Sequence, residues 1–321
     1  MEAGTIKISI KTPARLHLGL IDMNGDLDRL FGGLGVGIDH PNVIVEAQTA
    51  TGLKITGEQT DLAQEITDRF FTKYPLQPKV HLNIAKTIPC HTGLGSGTQL
   101  AIAIAVALAK ISDIKAPIPE LATAVGRAKR TSVGTSIFEY GGFVVDGGKN
   151  PKTQVAPPLI YHKPFPEEWC FIVAFPNQSK GLSSSEENHA FDKLTSMPAH
   201  DVGQICRLIM LKLLPAIAEH DIENFGTALT KIQILTGNHF AQAQGGTYAK
   251  SASTKCIEFM KQTGAYGVGQ SSWGPALYAI VKQQQANSFL TKVQKHLKDN
   301  AGGDAFIAKA NNQGATINVE A

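Results

Sequence analysis

Residues 89–108 read PCHTGLGSGTQLAIAIAVAL, and this stretch decides how the rest of the chain is interpreted. Its loop carries Gly93, Gly95 and Gly97, and an almost wholly apolar helical run follows. Glycines let a backbone turn sharply and approach a ligand, and a helix N-terminus presents unpaired N–H groups and positive dipole charge. We therefore predict a phosphate or pyrophosphate site here, with Thr98 capping a buried helix. The alternative is a glycine-rich turn before a core helix, because short glycine motifs often occur by chance.

Two common phosphate loops do not match this stretch. A Walker loop has Lys and then Ser or Thr after its last glycine, whereas Gly97 is followed by Thr98 and Gln99. A dinucleotide-binding loop has the spacing G-x-G-x-x-G near the first strand, whereas the spacing here is G-x-G-x-G after several predicted strands. The sequence therefore excludes both.

The composition is that of a globular protein. Of the 321 residues, 43% are hydrophobic and 18% are charged, and the formal net charge is +3. This slight charge gives no reason to expect nucleic acid or an anionic membrane as a partner. The N-terminus lacks the apolar core of a signal peptide, and the longest apolar run, residues 100–108, is too short to span a bilayer. We expect a cytoplasmic protein.

The four cysteines are widely separated and form no C-x-x-C pair, so we expect reduced core residues rather than a zinc site or a disulfide framework. They are Cys90, Cys170, Cys206 and Cys256. Cys90 adjoins the glycine loop without an evident activating base, and we interpret it as structural.

Hydrophobic periodicity predicts alternating strands and helices without a regular βαβ repeat. Strands are predicted at residues 6–10, 15–23, 43–47, 79–84, 143–145, 169–176, 276–281 and 315–319. Besides the helix after the glycine loop, helices are predicted at residues 61–74, 120–129, 184–194, 201–219, 221–235, 247–261 and 284–297. The proline-rich residues 151–166 are the best candidate boundary between two halves. We expect an α+β sandwich in two lobes.

Three separated segments resemble the superfamily of galactokinase, homoserine kinase, mevalonate kinase and phosphomevalonate kinase (GHMP). PxxxGLGS at residues 89–96 resembles its phosphate loop, PAR at residues 13–15 its N-terminal motif, and residues 267–274 its C-terminal glycine motif. The resemblance implies a ribosomal-S5-like N-terminal domain over residues 1–160. It also implies a ferredoxin-like C-terminal domain over residues 161–321.

Longer segments narrow the resemblance to one group within the superfamily, the beta-ribofuranosylaminobenzene 5'-phosphate synthases. These segments are RLHLGLIDMNG at 15–25, GLGSGTQLA at 93–101, FEYGGFVVDGG at 138–148 and GVGQSSWGPALYA at 267–279. The implied activity joins phosphoribosyl pyrophosphate to para-aminobenzoate or 4-hydroxybenzoate and releases pyrophosphate and carbon dioxide, in the synthesis of methanopterin-type cofactors.

A departure from the kinase pattern agrees with this narrower resemblance. Where superfamily kinases usually carry a base Asp, residues 134–137 read GTSI, and the next carboxylate is Glu139. Gly97 also replaces the second serine of the kinase loop. A small-molecule kinase using ATP nevertheless remains the alternative, since some superfamily kinases lack the base. A non-catalytic nucleotide-binding sensor of the same fold is a third reading.

For the implied transferase we assign residues to four roles. Phosphate binding is assigned to Gly93, Leu94, Gly95, Ser96, Gly97 and Thr98. Substrate binding is assigned to Arg15, His17, Lys180, Glu186, Gln270, Ser271 and Ser272, and catalysis to Asp22, Asp28 and Arg29. Asp22 is also the candidate ligand of an expected Mg²⁺, and no organic cofactor is expected. Small-molecule substrates are the expected partners, and a homodimer is the default assembly.

Several of these residues have a simpler structural interpretation. In this interpretation Asp22 only caps the turn at Asn24. Arg15 and Arg29 then form surface ion pairs. The Ser-x-x-Glu spacing at residues 183–186 equally predicts a capping box. Trp273 either stacks on an aromatic acid or belongs to the core.

Overall fold

The computed structural model describes residues 6–177, 191, 194–249 and 251–320. Its first sheet has five strands in the order β13-β1-β4-β6-β5, and only the β5–β6 pair is parallel. These strands are β1 Lys7–Lys11, β4 Ile44–Thr49, β5 Lys54–Gly57, β6 Val80–Lys86 and β13 Thr316–Glu320. Because β13 pairs with β1, the C-terminal end of the chain returns to the N-terminal sheet.

The second sheet is antiparallel, with the order β2-β3-β7-β8. Its strands are β2 Ala14–Asp22, β3 Phe31–Ile38, β7 Phe143–Asp146 and β8 Leu159–Lys163. The register of β2 against β3 shifts between His17 and Gly19. Four helices accompany these two sheets: α1 Thr60–Lys73, α2 Ser96–Ile111, α3 Ile118–Ala124 and α4 Val133–Tyr140.

The third sheet lies in the second half of the chain and is antiparallel, with the order β10-β11-β9-β12. Its strands are β9 Trp169–Pro176, β10 Gly267–Gln270, β11 Leu277–Lys282 and β12 Gly303–Lys309. Numbered along the chain, these strands lie in the order 4-1-3-2 of a ferredoxin-like sheet. The accompanying helices are α5 Ala199–Leu208, α6 Leu214–Glu219, α7 Ile222–Gln244, α8 Ser251–Gln262 and α9 Ala286–Asn300, and a π-helical turn, Ile209–Leu213, joins α5 to α6. The α+β class is therefore confirmed.

The apolar helix after the glycine loop is α2, and it is buried as predicted. Every residue from Gln99 to Ala109 is buried, and the helix packs against α1, α3, α4 and the first sheet. A helix that is apolar on all sides belongs in a core. The start of α2 is therefore held rigidly.

Glycine-rich and short elements escaped prediction. The strand β3, FGGLGVGI, reads as a loop, yet its glycines are what let α4 approach the sheet. A Cβ built on Gly35 would lie 2.3 Å from Val133 Cγ1 and 2.9 Å from the Leu16 carbonyl oxygen. The helix predicted at residues 120–129 ends at Ala124, since Gly126 adopts φ 75°. The strands β5, β8, β10 and β12 and the helix α4 were not predicted.

The expectation of four core cysteines is half wrong. Cys170 and Cys256 are buried, but Cys90 and Cys206 are exposed, and all four are free thiols.

Among the helices of the described residues, none has the length and apolar character needed to cross a membrane. The division of the chain at residue 160 stays a prediction.

We predict that Gly35→Ala lowers the free energy of unfolding by about 2 kcal/mol, because the new methyl group meets a stiff, buried valine and a backbone oxygen. Gly52→Ala is the matched control, since no atom lies within 4 Å of a Cβ built there. Urea unfolding of both variants checks this. Equal stabilities would contradict the close packing of α4 on β3.

Candidate active site

The three motif segments meet at the carbonyl group of Gly93. This oxygen accepts hydrogen bonds from Arg15 Nη1 at 3.0 Å and from Ser271 Oγ at 2.7 Å. The backbone N–H of Arg15 donates to the Leu94 carbonyl oxygen at 3.0 Å, and that of His17 donates to Ser271 Oγ at 2.9 Å. The structure thus brings together β2, the glycine loop and the turn between β10 and β11.

The glycine loop has the geometry that its glycines predict, but its cap differs from the prediction. Gly93 and Gly95 have φ values of 81° and 82°, and a Cβ on Gly93 would lie 2.5 Å from the Ser271 carbonyl oxygen. Gly95, not Thr98, is the N-cap of α2, and its carbonyl oxygen accepts from the N–H groups of Thr98 and Gln99. Thr98 instead lies in the first helical turn, where an acceptor group would be too late to cap.

A cavity of about 490 Å³ opens beside the start of α2. Its described lining has one basic wall, made of Arg15 from β2, Arg69 from α1 and three cations from the segment 126–131, which we call the basic segment. Those three are Arg127, Lys129 and Arg130. Glu65 is the one acidic residue among the described lining residues, and it forms an ion pair with Arg69. The wall therefore suits an anion.

The basic segment was not predicted as part of the site, because residues 120–129 were predicted to form a helix. Charged residues are common on the exposed face of a helix, so these cations alone gave no sign of a site. The available signal was Gly126 followed by three cations in the run GRAKRT.

Arg127 is one of these cations and is partly buried. Burial and the neighbouring Arg69 charge both lower its pKa, and its Nε atom is buried without a hydrogen-bond partner in the described part of the chain. Its Nη2 atom lies 3.5 Å from a Cβ built on Gly97. A guanidinium group that is desolvated beside a like charge gains most from a bound anion.

A second wall of the cavity is aromatic. Trp273 and Phe240 meet edge-on with ring centroids 4.6 Å apart, and Phe191 meets Trp273 at 5.4 Å. Arg130 joins the two walls, because its Cζ atom lies 4.0 Å from the Phe191 centroid. One cavity thus offers both charge for an anion and flat apolar surface for a ring.

His17 lines the cavity with an uncharged ring. Only 9% of this residue is exposed, and burial together with the Arg15 charge lowers its pKa to about 3. At neutral pH its imidazole therefore has one donor and one acceptor nitrogen. Such a ring can hydrogen-bond a neutral hydroxyl group.

The polar turn after β10 is held by a local network. Gln270 N donates to Gln233 Oε1 at 2.9 Å, and Gln270 Nε2 donates to the Ser272 carbonyl oxygen at 3.1 Å. Gln270 and Ser272 line the cavity, whereas Ser271 lies beneath the glycine loop. These contacts orient the turn that carries Trp273.

The residues assigned to catalysis lie beyond the described lining of this cavity. Asp22 Oδ1 accepts from the N–H groups of Asn24 and Gly25 at 2.7 and 3.0 Å, the contacts of a turn cap. Arg29 donates through Nε and Nη2 to the carbonyl oxygens of Gly147 and Gly148. Asp28 is exposed and lies 3.4 Å from Lys152 Nζ. The roles assigned to Asp22, Asp28 and Arg29 stay predictions.

Two of the remaining assignments concern parts of the chain that the structure does not describe. Lys180 and Glu186 lie outside the described residues. Within the described part, no three His, Cys, Asp or Glu side chains come together as a metal site would require. The described cavity residues therefore do not form a metal cage. The expected Mg²⁺ and its ligand Asp22 stay predictions.

We predict that alanine at two neighbouring loop glycines has opposite effects. In Gly95→Ala the methyl group would lie 2.7 Å from Arg15 Cγ in a left-handed backbone conformation, so both stability and pyrophosphate affinity should fall. In Gly97→Ala the methyl group makes ordinary contacts, and stability should rise by up to about 1 kcal/mol. Thermal unfolding and titration with inorganic pyrophosphate measure both. Equal behaviour of the two variants would contradict the loop geometry.

Comparisons with known proteins agree with this architecture. The family model for the GHMP kinases N terminal domain matches residues 61–142, and that for GHMP kinases C terminal matches residues 213–299. Two solved structures share the fold. They are homoserine kinase from Cytophaga hutchinsonii (TM-score 0.71, 17% identity, 97% of each chain) and mevalonate diphosphate decarboxylase from Staphylococcus aureus (TM-score 0.71, 13% identity, 98% of each chain).

Curated relatives are similar to the chain over most of its length. The beta-ribofuranosylphenol 5'-phosphate synthase of Methanothermobacter thermautotrophicus is 34% identical, and the alignment covers 88% of this chain and 91% of the relative. The enzyme of the same name from Archaeoglobus fulgidus is 29% identical, with coverage of 97% and 100%. The chain therefore belongs to the GHMP kinase superfamily and, within it, to the family of the beta-ribofuranosylphenol 5'-phosphate synthases.

Proposed function

We propose that this enzyme transfers a phosphoribosyl group from phosphoribosyl pyrophosphate to 4-hydroxybenzoate, releasing pyrophosphate and carbon dioxide. The observation that carries the proposal is a cavity that has both a basic and an aromatic wall and that is lined, among the residues assigned to phosphate binding, by Thr98 at the start of α2. The name shared by the relatives specifies a phenol, which favours 4-hydroxybenzoate over para-aminobenzoate as the acceptor. Synthesis of a methanopterin-type cofactor is the proposed context.

The pyrophosphate of the donor is assigned to the start of α2 and the basic wall. Helix N-terminal amides stabilise anions, and Arg69 and Arg127 add positive charge at the same place. Because negative charge grows on pyrophosphate as it leaves, these groups stabilise the transition state more than the ground state.

The acceptor ring is assigned to the wall formed by Trp273, Phe240 and Phe191. Edge-on and stacked contacts with these rings would hold a planar aromatic acid. The uncharged ring of His17 would form a hydrogen bond with a neutral polar group such as the phenol hydroxyl. A cationic side chain would bind such a neutral group less well. Arginine guanidinium groups suit the carboxylate.

The proposed reaction balances without a redox partner. The ring carbon bearing the carboxylate attacks the anomeric carbon, and the bond from that carbon to pyrophosphate breaks. The carboxylate then leaves as carbon dioxide, and its bonding electron pair restores the aromatic ring. Since no acceptor hydroxyl is phosphorylated, the lack of a carboxylate at residues 134–137 is no obstacle.

Release of labelled carbon dioxide tests this function. The enzyme is incubated with phosphoribosyl pyrophosphate and carboxyl-labelled 4-hydroxybenzoate, and in parallel with labelled para-aminobenzoate. We expect label release that depends on phosphoribosyl pyrophosphate. No release, together with ADP formation from ATP and a hydroxylated acceptor, would favour the kinase alternative. A homodimer and a cytoplasmic location remain proposals that this assay does not address.

We predict that Arg127→Ala raises the KM for phosphoribosyl pyrophosphate roughly 10- to 100-fold, the range for a lost hydrogen bond to a charged group. Arg127→Lys should restore this only in part, because an ammonium group lacks the planar fork. Lys295→Ala, an exposed cation on α9, is the control. Steady-state kinetics measure all three, and an unchanged KM in Arg127→Ala would remove this residue from the site.

Asp22 provides a test of the predicted catalytic carboxylates. Asn at this position keeps the oxygen that accepts from Asn24 and Gly25, so the unfolding temperature should hardly change. If the carboxylate charge faces the ribose or holds Mg²⁺, as we propose, turnover falls roughly 100-fold. Asp26→Asn in the same turn is the control. Normal turnover of Asp22→Asn would make Asp22 a turn residue only.

A further inference from the structure

A fully buried carboxylate lies behind the basic segment and makes no contribution to the mechanism above. Asp146 ends β7 and is 0% exposed. Its Oδ2 atom accepts from the Ser132 N–H at 2.8 Å, and its Oδ1 atom accepts from the Gly148 N–H at 3.0 Å. The backbone amides of Gly33 and Val133 also stabilise its charge. Four amides from three separate parts of the chain thus converge on one side chain.

The Asp146 carboxylate supplies the hydrogen-bond acceptor that an N-cap side chain normally provides at the start of α4. Ser132 is the N-cap residue, but its side chain makes no capping bond, and α4 has no acidic residue in its first turn. The N–H groups of Ser132 and Val133 point instead to Asp146, which lies on a strand. A negative charge at this end of a helix is also favoured by the helix dipole.

The residues whose amides bond Asp146 do not line the cavity themselves, but Gly33 and Ser132 adjoin residues that do. Ser132 directly follows the basic segment, and Gly33 lies under His17 and Thr131. A Cβ built on Gly33 would lie 3.2 Å from His17 Nε2 and 3.1 Å from Thr131 Cγ2. A displacement of Gly33 or Ser132 would therefore also displace residues that line the cavity.

We propose that Asp146 is a positioning residue, whose buried carboxylate holds the basic segment at its working distance from the start of α2. It touches no substrate and acts through Ser132, Val133 and Gly33. The proposal rests on the proposed function in one respect, the assignment of pyrophosphate to this cavity.

The charge state of Asp146 supplies a signature that a purely steric role lacks. Burial raises its pKa to about 6, although the four amides oppose this. Its hydrogen-bond donors from β3, from the start of α4 and from Gly148 after β7 are backbone amides, which do not titrate. The charged group bound to the same turn is Arg29, whose guanidinium donates to the carbonyl oxygens of Gly147 and Gly148. Near the cavity, burial and the Arg15 charge lower the pKa of His17 to about 3, so its imidazole stays uncharged between pH 5 and pH 8. Above pH 6 the ionised carboxylate accepts all four bonds, and below pH 6 the protonated form loses acceptor capacity.

Titration with inorganic pyrophosphate at pH 8 tests the proposal without relying on the reaction. We expect Asp146→Asn to bind about tenfold more weakly than the wild type, the effect of losing a charged acceptor. Asp39→Asn is the matched control, since Asp39 also accepts from a backbone amide, that of Lys309, but neither residue adjoins the basic segment or lines the cavity. Val293→Ala, at a buried position of α9, controls for general loss of stability.

The outcomes separate the two claims. Equal pyrophosphate affinity of Asp146→Asn and wild type would overturn the positioning role and leave the anion site standing. No binding to the wild type would overturn the anion site, and with it this proposal. At pH 5 we expect the tenfold difference to shrink towards unity, because both proteins then carry an uncharged side chain. The titration of pyrophosphate itself affects both proteins alike, so a difference that persists at pH 5 would contradict the proposal.

A measurement on the wild type covers the case in which Asp146→Asn does not fold. Hydrogen exchange at Ser132 and Val133, corrected for the intrinsic rates, should show protection that falls between pH 8 and pH 5. Protection in α9 should stay constant over the same range. Constant protection at Ser132 and Val133 would overturn the proposal.

Discussion

The carbonyl oxygen of Gly93 is the point on which the site depends. It accepts one hydrogen bond from Arg15, 78 residues earlier in the chain, and another from Ser271, 178 residues later. A carbonyl oxygen has two lone pairs, so this one is fully used. The arrangement requires a backbone without a side chain, because a Cβ on Gly93 would collide with the Ser271 carbonyl oxygen. Both halves of the chain are thus bonded to the glycine loop.

Electrostatics explains why a cavity built in this way suits a substrate rich in phosphate. The basic wall concentrates positive charge, and the partial burial of Arg127 beside Arg69 strengthens its interaction with any anion that enters. The aromatic wall carries few charges of its own. In the proposed complex, pyrophosphate therefore contacts the cations and the aromatic ring contacts Trp273 and its neighbours.

Local sequence patterns were sufficient to predict those elements whose structure depends on neighbouring residues. The glycine loop, the buried α2 and the strand β9 follow from glycine spacing and apolar runs, and the structure confirms them. The fold was recognisable from three separated segments, and the family from four longer ones. The predictions that failed concern elements whose structure depends on contacts between residues far apart in the sequence. The strand β3 was not predicted because its glycines, which serve the packing of α4, give no apolar alternation. The basic segment was not recognised because residues 120–129 were predicted as one helix, whereas α3 ends at Ala124, before Gly126. Asp146 gives no signal in FVVDGG, since only the folded chain brings Ser132 and Gly33 to it.

A structure of the enzyme with phosphoribosyl pyrophosphate bound tests the central claim most directly. The account predicts that both phosphorus atoms of the pyrophosphate lie against the amides of residues 96–98, with Arg127 within hydrogen-bonding distance of a phosphate oxygen. The anomeric carbon should then face the aromatic wall formed by Trp273, Phe240 and Phe191. A pyrophosphate group bound elsewhere, with the start of α2 and Arg127 free of contact to it, would contradict the account.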